Sequence, residues 1–248
     1  MQRLFLFFLV FMTLESAIAQ TVKQKQLYEQ VWIGYFNQTR FNNKWGLSLD
    51  AQLRSKDNFF DSLSIAEIRP GIVYYLSDIV NFTVGYAYFN HFPIDNHSQI
   101  SQPEHRLWQQ VQWNANSKRI KLSQRIRLEE RWRRKIKDMD ELANGYYFNF
   151  RARYNFLFQV ALSKKAFEPG SFSYVLNDEL MVNFGKEIVY NSFDQNRFFT
   201  GFNYFFNRQT YLQFGYLNVF QQQTSGNKYR VINAARILVF HNLDFRRK

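Results

Sequence analysis

Polar and apolar residues alternate with a period of two along most of the chain. From Trp45 to Arg54, the set Trp45, Leu47, Leu49, Ala51 and Leu53 alternates with Gly46, Ser48, Asp50, Gln52 and Arg54. From Ile120 to Arg131, Ile120, Leu122, Ile126 and Leu128 alternate with Lys121, Ser123, Arg125, Arg127, Glu129 and Arg131, and only Gln124 breaks the apolar phase. From Tyr146 to Phe156, Tyr146, Phe148, Phe150, Ala152, Tyr154 and Phe156 oppose Asn149, Arg151, Arg153 and Asn155. This is strand periodicity, in which successive side chains point to opposite faces. Weaker copies occupy 28–38, 64–76, 80–90, 103–114, 172–184, 197–206, 210–220 and 229–245. Eleven segments follow. Bacterial single-chain barrels favour even strand numbers, which makes twelve the first expectation and ten the second for an all-β, up-and-down antiparallel transmembrane barrel.

Brief turns at 77–78, 114–118 and 207–209 alternate with longer polar stretches at 91–102, 132–144 and 185–196. Short periplasmic turns and long external loops produce this rhythm. Taking the short turns as periplasmic places the start of the first segment outside, which calls either for a preceding upward strand or for a different pairing there.

The first residues carry a positive tip at Arg3, an apolar run from Leu4 to Met12 and the small-residue pattern Ala17-Ile18-Ala19, the layout of a secretory signal peptide over residues 1–19. Residues 20–248 then form one barrel domain. The apolar run is shorter than the roughly 20 residues that a membrane-spanning helix needs. With no cysteine there is neither a disulfide framework nor a thiolate metal site.

Two faces must be assigned to inside and outside. A lipocalin-like soluble barrel or a sandwich buries the apolar set, whereas an outer-membrane barrel turns it to lipid. The 28 Phe and 15 Tyr decide for lipid, because that many rings would overfill the interior of a small soluble barrel. Rings near segment ends at Trp32, Tyr35, Trp45, Tyr74, Tyr88, Trp113, Tyr146 and Tyr211 match interfacial girdles. The formal charge of +12 is spread through the alternating segments rather than gathered into a patch, which argues against nucleic acid and for a basic lumen or contact with outer-membrane lipid.

The stretches Ser101-Gln102-Pro103-Glu104-His105-Arg106-Leu107-Trp108-Gln109-Gln110, Arg127-Leu128-Glu129-Glu130-Arg131 and Phe193-Asp194-Gln195-Asn196-Arg197-Phe198-Phe199 resemble the outer-membrane barrel family known as domain of unknown function twenty-four ninety. Gly226-Asn227-Lys228-Tyr229-Arg230 and Phe240-His241-Asn242-Leu243-Asp244-Phe245 extend the resemblance over nearly the whole mature chain. It implies a β-barrel in the outer membrane and no particular activity. The closing strand also resembles the assembly signal of such barrels, with Ile237, Val239, Leu243 and Phe245 on one face, although His241 interrupts that face and Arg246-Arg247-Lys248 follow it.

Candidate chemistry lies on the polar phase. Glu67, Arg69, Glu104, Arg106, Arg125, Arg127, Glu129, Arg131, Arg151 and Arg153 are expected to face the lumen. Their guanidinium groups could bind carboxylates or phosphates through forked hydrogen bonds and pass small anionic solutes. Alternatively Glu67, Glu104, Glu129 and Glu179 neutralise them and plug the lumen, leaving a structural barrel whose loops bind a partner or lipopolysaccharide. His91 and His97 beside Asp95 offer a loop metal site against the simpler reading of a solvated loop. Ser101, Glu104 and His105 suggest a hydrolase at the mouth, against which adjacent strand residues point to opposite faces. Neither catalytic nor metal residues are assigned, no cofactor is expected, and the chain is read as a non-enzyme.

Overall fold

A computed structural model describes residues 23–93 and 99–246. The signal-peptide segment 1–19 lies outside the described residues, as do Asp95 and His97. The strands are β1 (Gln24–Arg40), β2 (Trp45–Ser55), β3 (Leu63–Tyr75), β4 (Val80–His91), β5 (Gln102–Asn116), β6 (Ile120–Ile136), β7 (Leu142–Ala161), β8 (Phe172–Phe184), β9 (Phe193–Phe205), β10 (Thr210–Gln222) and β11 (Lys228–Asp244). Each pairs antiparallel with the next, and β1 closes the barrel against β11.

The closure corrects the expected strand number. The barrel has eleven strands, neither twelve nor ten, and is mixed rather than wholly antiparallel, because an odd up-and-down series brings its first and last strands together in the same direction. β1 and β11 pair in parallel without a register break from Gln24↔Lys228 to Arg40↔Asp244. Both are 17 residues long, so the seam leaves no open edge. At one end of the seam Arg40 Nη1 donates to Asp78 Oδ1 at 2.6 Å and Arg246 Nη1 to the same oxygen at 3.1 Å. These bonds, Arg40 foremost, hold the Asp78 carboxyl below the usual carboxylate range.

The odd number also places the beginning of β1 and the end of β11 at opposite ends of the barrel: β1 still begins at the end that carries the connection 223–227, with no preceding strand among the described residues, and β11 finishes at the end that carries the short turns. The C-terminal end carries the short turns 41–44, 76–79, 117–119 and 206–209, together with the longer segment 162–171. The N-terminal end carries 56–62, 92–101, 137–141, 185–192 and 223–227. The loop expected at 132–144 is largely strand. β6 and β7 continue through Trp132↔Phe148 and Arg134↔Tyr146, because the charged run still alternates and its outward aromatics pair across the strands.

The outer face of the closed sheet exposes aliphatic and aromatic side chains around its circumference, among them Ile33, Leu53, Ile72, Val84, Leu107, Ile126, Leu180, Phe202 and Ile237. Polar exceptions on this face pair with one another: Asn196 donates to Asp178, Gln109 to Glu130, and Asn218 to Asn233. Pairing limits the cost of polar groups in apolar surroundings. Two rings of the expected girdle lie inside instead. Trp32 is buried, on the inward phase shared with Gln30, and Tyr211 stacks on the ring of Phe240, 4.7 Å away. Both belong to an apolar inner wall on β1 and β8 to β11, where Trp32, Val175, Phe199, Leu217, Val219, Ile232 and Ala234 pack together.

Candidate functional site: the barrel interior

The opposite inner wall is charged. Of the ten candidate lumen residues, Glu67, Arg69, Glu104, Arg106, Arg127, Glu129, Arg131, Arg151 and Arg153 are buried, and Arg125 is half-buried. Along single strands or between neighbours, Glu104 Oε1 accepts from Arg106 Nε and Arg131 Nε, both at 2.7 Å. Glu67 Oε2 accepts from Arg54 at 2.7 Å and its other oxygen from Arg69 at 3.0 Å. Arg153 divides between Glu129, 2.6 Å from Nη1, and Glu179, 2.7 Å from Nη2.

Other pairs bridge strands that are not neighbours, reaching over one or two intervening strands. Arg69 on β3 reaches Glu129 on β6 at 3.9 Å. Arg125 on β6 meets Glu179 on β8 at 2.5 Å, and Arg151 on β7 meets Asp194 on β9 at 2.9 Å. Arg197 on β9 lies 5.1 Å from the ring of Trp32 on β1, which also carries Arg54 at 3.9 Å. Together these contacts form a layer across the barrel. On its C-terminal side lies a cavity of about 540 Å³ and on its N-terminal side one of about 130 Å³. Trp32, Arg69, Arg153 and Arg197 line both.

The layer includes residues absent from the candidate set: Asp50, Arg54, Asp194 and Arg197. Asp50, which accepts from Arg69 at 2.5 Å, and Arg54 share the polar phase of Gln52, so periodicity could have supplied them. Asp194 precedes the segment expected at 197–206 and enters because β9 begins at Phe193.

Two flat rings are held against the inner wall by glycines. The indole of Trp108 lies over Gly71 on β3 and Gly85 on β4, which face each other in register, and a methyl group at either would collide with it. The ring of Phe199 lies likewise over the register pair Gly201 and Gly215. An arginine stacks on each ring: Arg127, 4.4 Å from Trp108, and Arg236, 3.5 Å from Phe199. Gly85→Val is expected to displace Trp108 and to lower stability by about 1 to 3 kcal/mol, the usual cost of overpacking. Urea unfolding in lipid vesicles, with Val84→Ile on the exposed outer face of the same strand as the control, measures it.

The histidines do not assemble a site among the described residues. His91 faces inward, its Nε2 2.9 Å from Glu104 Oε2, whereas His97 and Asp95 are outside the described residues. No group of three or more metal-ligating side chains occurs among the described residues. His105 projects outward to Tyr86 OH, 2.5 Å from Nδ1, while Glu104 points inward, so Ser101, Glu104 and His105 do not converge. His241 also faces outward, with Tyr35 OH 3.0 Å from its Nδ1.

The family model described as protein of unknown function (DUF2490) matches residues 29–230. No curated protein and no solved structure matches the chain.

Proposed function

For a chain that belongs to the DUF2490 family, we propose an outer-membrane barrel whose lumen is closed at mid-depth by the ionic layer, so that it serves as a structural or binding protein with two separate vestibules. The observation that carries this reading is the set of ion pairs between non-neighbouring strands, Arg69 with Glu129, Arg125 with Glu179 and Arg151 with Asp194. Chains of this kind fill the cross-section that a solute would need. The apolar outer face supports membrane insertion, since a water-soluble barrel would not expose apolar side chains around its whole circumference.

A second reading, a narrow channel for small anionic solutes, draws support from cations left without carboxylates. Among the described residues, Arg133, Arg197, Arg230 and Arg236 make no ion pair although they line the cavities. Such a surplus would favour anions if the layer opened.

The membrane-spanning part of the proposal is tested with single cysteines, which the cysteine-free chain makes unambiguous. Ser225→Cys in the segment 223–227 and Ser117→Cys in the turn 117–119 lie at opposite ends. With short turns periplasmic, a membrane-impermeant maleimide added to intact cells should label residue 225 only, and residue 117 should react after permeabilisation. Labelling of both in intact cells, or recovery of the protein in the soluble periplasm, would overturn the reading.

A further inference from the structure

We infer that the larger cavity is a binding chamber for a small amphipathic oxyanion, with Arg127 and Trp108 as the anchor for its charged head. The inference goes beyond the closed-lumen reading and rests on it only for the chamber's floor.

Arg127 is oriented before any ligand arrives. Its Nε and Nη2 both donate to Gln110 Oε1, at 3.0 and 2.7 Å, and its guanidinium lies on the Trp108 indole. Its Nη1 has no hydrogen-bond partner among the described residues; the nearest carboxylate oxygen, Glu129 Oε1, is 3.7 Å away. Trp108 Nε1 is likewise buried without a partner, and the glycine platform fixes the ring that carries it. Arg127 is 5% exposed and Trp108 2%, and both line the chamber. Both donors lie just beneath the chamber's surface on residues that line it, and a small side-chain shift that brings them to a carboxylate or phosphate oxygen would satisfy N–H groups, one of them cationic, that are costly to leave unpaired.

The rest of the chamber favours a ligand with an apolar body. On the far wall Phe36 stacks on Phe240, Phe240 on Tyr211, and Tyr211 packs against Phe205. The segment 162–171 extends this arc. Phe167, at a left-handed φ of 57°, sets its ring against Phe205 and beneath Lys121 Nζ, 4.1 Å away. The cavity's lining continues to Asn116 and Lys121 at the ends of β5 and β6, so the chamber reaches the C-terminal rim. A volume of about 540 Å³ lies within the range of small-molecule pockets. Cationic donors at depth and aromatic rings towards the mouth fit an aryl or short acyl group bearing one phosphate or carboxylate.

The test is calorimetric titration of the full barrel, folded in lipid nanodiscs, with phenyl phosphate, inorganic phosphate and phenol. Phenyl phosphate should bind one per barrel, and both partial probes should bind at least about tenfold more weakly, the loss expected when a charge-assisted hydrogen bond or the ring's burial is missing. Arg127→Gln should weaken phenyl phosphate by about tenfold, with Arg127→Lys recovering part of the loss. Trp108→Phe keeps an aromatic face beneath Arg127 but removes the N–H donor together with the pyrrole half of the indole, and should weaken binding less than Arg127→Gln. Absence of phenyl phosphate binding by wild-type barrel that is folded by its heat-modifiable migration would overturn the chamber, as would equal affinity in wild type, Arg127→Gln and Trp108→Phe. Lumen closure is read separately, by conductance.

Discussion

Replacing Ile126 by arginine is expected to block membrane assembly, while Ile126→Phe is expected to leave it intact. Ile126 sits midway along β6, on the outer face, with 54% of its surface exposed. On a water-facing surface a cation there would be close to neutral, because exposed substitutions away from special features usually change stability by within about 0.5 kcal/mol. On a lipid-facing surface near the midplane, arginine costs about 2 to 4 kcal/mol. The two environments therefore predict different outcomes for one substitution. Folding yield into vesicles, followed by the heat-modifiable band, measures it; equal yields for the arginine and phenylalanine variants would place water outside the barrel.

Glu129→Gln is the second change expected to have a large effect. Glu129 is 1% exposed, and four arginines converge on it: Arg153 at 2.6 Å, Arg106 at 3.2 Å, Arg127 at 3.7 Å and Arg69 at 3.9 Å. Glutamine preserves the shape and removes the charge that these cations share. The desolvation already incurred by the arginines is then uncompensated, and breaking a buried pair from one side typically costs about 3 to 5 kcal/mol. Combining it with Arg153→Met should cost less than the sum of the single changes, because the second substitution removes one of the stranded cations. Urea midpoints in vesicles give both numbers. A loss below about 1 kcal/mol, the scale of solvent-exposed pairs, would mean that water reaches the layer freely.

Much of the strand plan was legible in the chain because period-two alternation survives wherever one face is apolar and the other polar. Eleven segments stand out, and only the preference for even numbers suggested a twelfth; nothing in the β1 or β11 sequence signals that the two ends would meet in parallel. The β6–β7 extension was obscured by the charge of Arg131 to Lys135, which resembles a loop in composition although Arg131 and Arg133 still alternate with Trp132 and Arg134. The polar phase identified the interior arginines and glutamates, but phase fixes only a face. Which non-neighbouring strands come within reach of each other depends on barrel closure, so pairs such as Arg125 with Glu179 had no sequence signal. The inward aromatics Trp32, Trp108 and Phe199 break the rule that rings face lipid. For Trp108 and Phe199, the glycines beneath the rings are the feature that made room for them.

The most direct test of the central claim, that salt bridges close the lumen, is planar-bilayer recording of the purified wild-type protein in membranes where its folded state is verified by protease resistance. The ionic layer predicts no steady single-channel current in moderate salt, and sporadic openings in Glu129→Gln, whose layer has lost its shared carboxylate. Stable anion-selective steps in the wild type, shifted toward cations by replacing Arg127 and Arg151 with glutamine, would contradict a closed lumen and establish the channel instead.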